Sequence, residues 1–266
     1  MITLAAGAGF TVPDVNEMFT FKTLAQFRVG GITFHITFIT ILMFFLTALV
    51  AALFVAAFRR PAVVPGKLQN VMEAGVDAVR ENIVLPTIGP DGERYLPLLT
   101  AMFFFVFAMN FMEVVPGVQF PISSHMAIPA FFAALSYVVF IFLGVRKQGP
   151  LHYIKNSLIP PGVPIFILPL VILIEFFSKF IVRPLTLAIR LFANMMAGHV
   201  MLTIFFLASA YFLYRGNSIL LKIFSPGPIV LSIILIGFEM FIGLIQAFII
   251  TILTAVYIDE SLHPAH

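Results

Sequence analysis

The chain alternates long apolar stretches with short polar interruptions. From Ile32 to Phe58 no charged residue occurs, and His35 is the one histidine. At 1.5 Å per residue, a helix of that length crosses a bilayer core of about 30 Å. Arg59, Arg60 and Pro61, then Pro65, Gly66 and Lys67, supply a basic, helix-breaking stop. Further crossings are expected at about 98–115 and 126–145. From Pro164 to Tyr214 the stretch is too long for one upright crossing, since a continuous helix would reach about 75 Å. It is either two crossings or a single strongly tilted element, and Arg183-Pro184 in its middle marks a turn or a kink. After Pro226-Gly227-Pro228 a last helix is expected over 228–258, ending at Asp259 and Glu260.

Residues 67–84 follow a different pattern. Leu68, Val71, Met72, Gly75, Val76, Val79 and Ile83 share one side at helical spacing, and Glu73, Asp77, Arg80 and Glu81 the other. That is an amphipathic helix suited to the membrane surface. The chain therefore divides into a segment 1–31 outside the membrane, one transmembrane domain over 32–260, and a short tail at 261–266. The fold class expected is all-α and integral to the membrane, with about five to six helices.

Composition agrees with this reading. Of 266 residues 61% are hydrophobic and 10% charged, against about 45–50% and about 25% in soluble domains. The net charge of +3 is not a nucleic-acid signal, because the cations sit in short loops. Their clustering at 59–67 and 146–155 places those loops in the cytoplasm and the N-terminus outside. The N-terminal residues lack a basic start before an apolar run, so no cleavable signal or transit peptide is expected. Cysteine is absent, which removes disulfides and thiolate chemistry. No P-loop, nucleotide fingerprint, metal-ligand spacing or nucleophile beside a base occurs. No active site, cofactor or metal of the chain's own is expected.

In so apolar a chain, ionisable groups inside spans carry the information. A central charge costs about 2.5–3.5 kcal/mol on insertion scales, and such groups usually face protein or water along an ion path. Arg190 has no acidic residue within a helical turn on either side. A snorkelling arginine would stand near a helix end, yet over twenty mostly apolar residues follow. Asn194 at i+4 and Ala197 at i+7 share its face, with Ala193 and Gly198 flanking, and small residues let another helix come close. An unpaired cation there calls for a carboxylate from a different chain. His199 lies about 180° around the helix from Arg190, and alone reads as a hydrogen-bonded core histidine. Glu239 is the single charge within the apolar run of the last helix, with Gly243 and Gln246 on its face. Asn110 and Glu113 are weaker candidates because they sit near the end of a span. Lys179 and Arg183 are expected to snorkel toward headgroups, and Glu175 to pair with Lys179.

Three segments resemble the subunit a family of F-type ATP synthases. They are the run from Arg183 through Arg190 and Asn194 to His199, the run from Ile245 through Gln246 to Tyr257, and Asn110 to Pro116 with Glu113. The resemblance covers about residues 32–260. It implies that Arg190 is the family's essential arginine, with Asn194 one turn on and Gln246 on the facing helix. It also implies that His199 and Glu239 are coupled channel positions, lining an outer proton path with Gln246 and Glu113. Glu175 lies fifteen residues before Arg190, one more than the family's spacing, and no role transfers to it.

The family's last two helices form a steeply tilted hairpin around the ring of c subunits, so 164–214 is expected as one tilted element with its 215–227 turn outside. Implied partners are that c-ring, a b-type peripheral stalk subunit, other ATP synthase subunits and lipid, with no nucleic acid. The implied setting is a bacterial plasma membrane, the alternative being the mitochondrial inner membrane. Two half-channels would then feed c-subunit carboxyls passing Arg190. A stand-alone ion-coupled transporter is the rival, and it predicts internal repeats with broken helices that the sequence lacks.

Overall fold

The computed structural model describes residues 23–29, 32–115, 122–159, 163–215 and 226–263. Residues 1–22, 30–31, 116–121, 160–162, 216–225 and 264–266 lie outside them, and with them most of the turn expected at 215–227.

The first difference from the sequence expectation comes at once. Ile32–Thr37 is a strand, β2, paired antiparallel with β1, Thr23–Val29. The reason is legible afterwards: Ile32, Phe34 and Ile36 alternate with Thr33, His35 and Thr37, a period of two in mostly β-branched or aromatic residues. The helix α1 begins only at Phe38 and runs to Phe58. Thr37 caps it, accepting a hydrogen bond from the Thr40 amide while the Thr40 hydroxyl accepts from the Thr37 amide. Twenty-one residues still make about 31 Å, enough to cross.

The amphipathic element forms as α2, Lys67–Val79, and continues through a π turn over Arg80–Val84 and a 3₁₀ turn over Pro90–Tyr95. Its apolar stripe is divided. Met72, Val79 and Ile83 are buried, with Val79, Ile83 and Val84 packed on Leu99 and on Ala255 and Ile258 near the chain's end. Leu68 and Val71 stay exposed, free to face lipid. The segment is thus docked on the bundle rather than merely floating at its surface.

The spans α3 (Leu96–Phe111) and α4 (Ala127–Gln148) follow, and α4 ends at Gly149. Gly149 has φ +82°, which a side chain would strain, and it turns the chain into the short α5, Pro150–Leu158. The long stretch is then one element. Helix α6 (Leu168–Phe176), a π turn (Phe177–Val182) and α7 (Arg183–Arg215) run on without a break. Pro184 follows directly on the π turn, and the element runs on through it without a hairpin. The Leu168–Leu213 element of 46 residues is about 69 Å long, more than twice the bilayer core, so it crosses steeply tilted. Helix α8 is Pro226–Leu262, 37 residues.

Five helices are long and apolar enough to cross a membrane. The shared core draws Leu42 and Leu46 from α1, Val106 and Met109 from α3, Phe132 from α4, Leu191 from α7 and Ile250 from α8. Helices α3, α4 and α7 all pack on α8, and α1 leans mainly on α3. Between α4 and α8 the Ser136 and Thr254 hydroxyls are 2.9 Å apart, and a buried bond of this kind holds helices at a fixed depth.

Candidate functional site

The α7–α8 pair carries most of the ionisable groups inside the bundle, and its two faces treat them differently. Leu187, Leu191, Met195 and Leu202 of α7 are buried. On the opposite side Ile189, Arg190, Ala193, Asn194, Ala197 and Met201 are exposed. Arg190 makes no ion pair or hydrogen bond among the described residues. One turn on, the Asn194 side-chain amide donates to Gln246 Oε1 at 2.9 Å, tying α7 to α8. Gln246 is 1% exposed, and its Nε2 has no hydrogen-bond partner among the described residues. Of the expected grouping of Arg190, Asn194 and Gln246, the structure joins Asn194 to Gln246.

The second group lies along α7 by about 14 Å, the nine-residue step from Arg190 to His199. His199 turns inward, and its Nδ1 is 3.8 Å from Glu113 Oε1. Glu113 is 4% exposed and Glu239 6%, and each has one carboxyl oxygen without a hydrogen-bond partner. Glu239 rests on the backbone of Gly198: a Cβ at that position would overlap its carboxyl group. The glycine makes the room, so helix α7 offers a notch where α8 carries its acid.

Three titratable groups from α7, α8 and the end of α3 thus meet inside the bundle. Buried polar groups are nearly always hydrogen-bonded, and oxygens left without partners in a structure are positions able to take water or protons. By sequence alone Glu113 is a weak candidate, because it sits near the end of a span. The structure instead gives it the contact with His199. Glu239 reaches α7 at Gly198, next to His199 in sequence, while the His199 imidazole nitrogen faces Glu113.

Asn110 has a different part. Its side-chain amide donates to the Gly243 carbonyl at 3.1 Å, and its Oδ1 accepts from the Ser123 hydroxyl at 3.3 Å. It is 3% exposed. It ties α3 to α8 and to the turn before α4, directly beneath Glu113. Ser123 escaped the sequence reading, having no periodic or motif signal of its own.

The snorkelling expected of Lys179 and Arg183 is corrected. Lys179 pairs with Glu175 at 3.2 Å, as its i+4 spacing suggests, and also donates to the Ser157 carbonyl. Arg183 grips Glu260 with two nitrogens, at 2.5 and 3.3 Å, and lies over the Tyr257 ring at 4.9 Å. Both line a polar cleft of about 420 Å³ at the end of the bundle away from His199, with Asn156, Asp259 and Ser261. Glu175 is the partner that spacing names, whereas Glu260 and the Ser157 carbonyl lie far off in sequence, beyond the reach of spacing.

The sequence that builds this geometry has relatives. Residues 37–259 match the family model described as ATP synthase A chain. The chain is 36% identical over 263 residues to the ATP synthase subunit a of Rhodococcus erythropolis, covering 98% of this chain and 94% of that protein. It is 39% identical to the Streptomyces lividans subunit a, covering 98% and 90%. With the Gluconacetobacter diazotrophicus protein of the same name the identity is 34%, over 91% and 97%. With the family model covering residues 37–259 and the relatives aligning over most of both chains, the chain belongs to the ATP synthase A chain family.

Proposed function

We propose that this chain is the proton-conducting stator subunit of an F-type ATP synthase in a bacterial plasma membrane. Arg190 faces the carboxyl groups of a rotating c-ring, and a b-type stalk subunit holds the chain in place. The observation that carries the reading is Arg190 itself. It stands on an outward face lined by Ala193 and Ala197, without an ion pair among the described residues, while the groups of the inward face meet one another.

The chemistry follows from charge in a low dielectric. A c-subunit carboxyl must be neutral while it faces lipid. Beside a fixed guanidinium the ionised carboxylate is favoured, so the proton leaves into one aqueous half-channel as the carboxyl arrives at Arg190. Past Arg190 the carboxylate takes a proton from the other half-channel before re-entering lipid. The outer path runs by Glu113, His199 and Glu239 toward Gln246 and Asn194, and Asn110 fixes the geometry of its wall. The Glu175, Lys179 and Arg183 cleft opens on the opposite side. Arg190 separates the two paths, since an excess proton is repelled by the guanidinium. One charge crossing 100 mV yields about 2.3 kcal/mol, so the ring must sum several protons for each ATP.

The test is ATP-driven proton uptake by inverted membrane vesicles. With Arg190→Ala, uptake is lost while the complex stays assembled. Normal uptake by that variant would overturn the mechanism and leave only fold and family.

A further inference from the structure

A second site lies at the end of the bundle that carries the basic loops, away from the hairpin's outward face. The last turn of α4 brings Arg146 and Lys147 together with Arg94 of the Pro90–Tyr95 turn around a cleft of about 520 Å³. Its floor is apolar, with Leu143 and Leu262, and Tyr95 lines the side beneath the Arg94 guanidinium, 5.8 Å from the ring centre. Three cations face one carboxylate, Asp91, which already has His263 at 3.9 Å. The neighbouring Glu93 is held by Arg80 at 2.6 Å and so does not neutralise Arg94. Arg94, Arg146 and Lys147 are exposed and form no ion pair among the described residues.

We infer that this cleft binds the phosphate headgroup of an anionic phospholipid in the leaflet on the basic side of the membrane. Loop cations that only orient the chain have no reason to converge from two separate elements on one cleft. Basic clefts between membrane helices at this depth suit lipid phosphates, and each cation near an anionic surface adds attraction. What selects a lipid over a soluble anion is the surface below. Phe131, Ala134, Val138 and Phe142 form an exposed stripe along α4 at three- and four-residue spacing, and the next position on it is Arg146. An acyl chain lying on that stripe ends with its phosphate at the guanidinium. Arginine presents a planar fork that matches phosphate oxygens, and Lys147 adds a point charge beside it.

The experiment uses the whole complex in phosphatidylcholine vesicles carrying a photoactivatable phosphatidylglycerol. Adducts are mapped by mass spectrometry. Irradiation is expected to label peptides containing Leu143 and Tyr95. The combined Arg94→Gln, Arg146→Gln and Lys147→Gln substitution is expected to cut that label about tenfold or more. Labelling by a photoactivatable phosphatidylcholine should not change in the same variant, which also reports that the fold is intact. Lys147→Gln alone, at an exposed position, should give a partial loss. Equal labelling of these peptides by both lipids in the wild type would overturn the inference. So would displacement of the label by excess inorganic phosphate, which marks a soluble-anion site. Adducts blocked by another subunit's peptide would mark a protein interface and overturn it too.

Discussion

The inward and outward faces of α7 hold the same kinds of residue and use them in opposite ways. Inward, His199 meets Glu113, and Gly198 makes room for the Glu239 carboxyl. Outward, Arg190 stands among small residues with no ion pair among the described residues. A charge at mid-membrane is costly on either face. Where the chain supplies neighbours the cost is met internally; where it does not, the proposed c-ring carboxylates would supply the neighbour. The comparison teaches where this chain ends as a self-sufficient unit: between Gln246, reached from Asn194, and Arg190, one turn away.

Four substitutions put weight on that contrast. Glu113→Leu should have the largest effect. A structural carboxyl can be replaced by an apolar side chain of similar size at little cost, but a proton-relay group cannot. Proton uptake is expected to fall about a hundredfold while the complex still assembles, and uptake near wild type would return Glu113 to a packing role. Gly198→Ala comes next, because its methyl group displaces the end of a flexible side chain rather than backbone. The fold should survive while uptake falls about tenfold or more. Adding Glu239→Asp, which withdraws the carboxyl by one methylene, should recover part of the loss.

Asn194→Ala removes the bond that ties the outward face of α7 to Gln246 of α8. Hydrogen bonds between membrane helices average about 0.6 kcal/mol, so unfolding in mixed detergent micelles should shift by less than about 1 kcal/mol. A larger shift would mean that Gln246 suffers more from being stranded than such averages allow. The smallest effect is expected from Arg183→Gln. Its pair with Glu260 lies toward water, and exposed pairs contribute about 0.2–1 kcal/mol. The loss of stability should shrink as salt is raised, and a salt-independent loss would point to the Tyr257 contact instead.

Much of this was legible in the sequence, for reasons that explain the rest. Charge-free runs of membrane-spanning length marked the crossings, and rarity marked Arg190 and Glu239. Periodicity separated the faces of α7, because a helix fixes angles along itself. It does not fix distances between helices. The partners Glu113 of His199 and Glu260 of Arg183, and the Ser157 carbonyl that Lys179 reaches, lie on other elements, and no pattern within α7 or its approach names them. The Ile32–Thr37 strand was misjudged because a short apolar run that continues into a helix looks like more helix. Its period-two alternation was the missed sign.

The natural absence of cysteine makes the most direct test clean. Single cysteines are placed at Ala193 and Ala197 on the outward face and at Leu191 and Met195 on the inward face. Each is combined with a cysteine one helical turn from the ion-binding carboxyl of the c subunit and oxidised in the membrane. The account predicts disulfide cross-links to the c-ring from Ala193→Cys and Ala197→Cys and none from Leu191→Cys or Met195→Cys. Cross-links from the inward pair, or from neither pair, would contradict the claim that Arg190 faces a carboxylate of another chain.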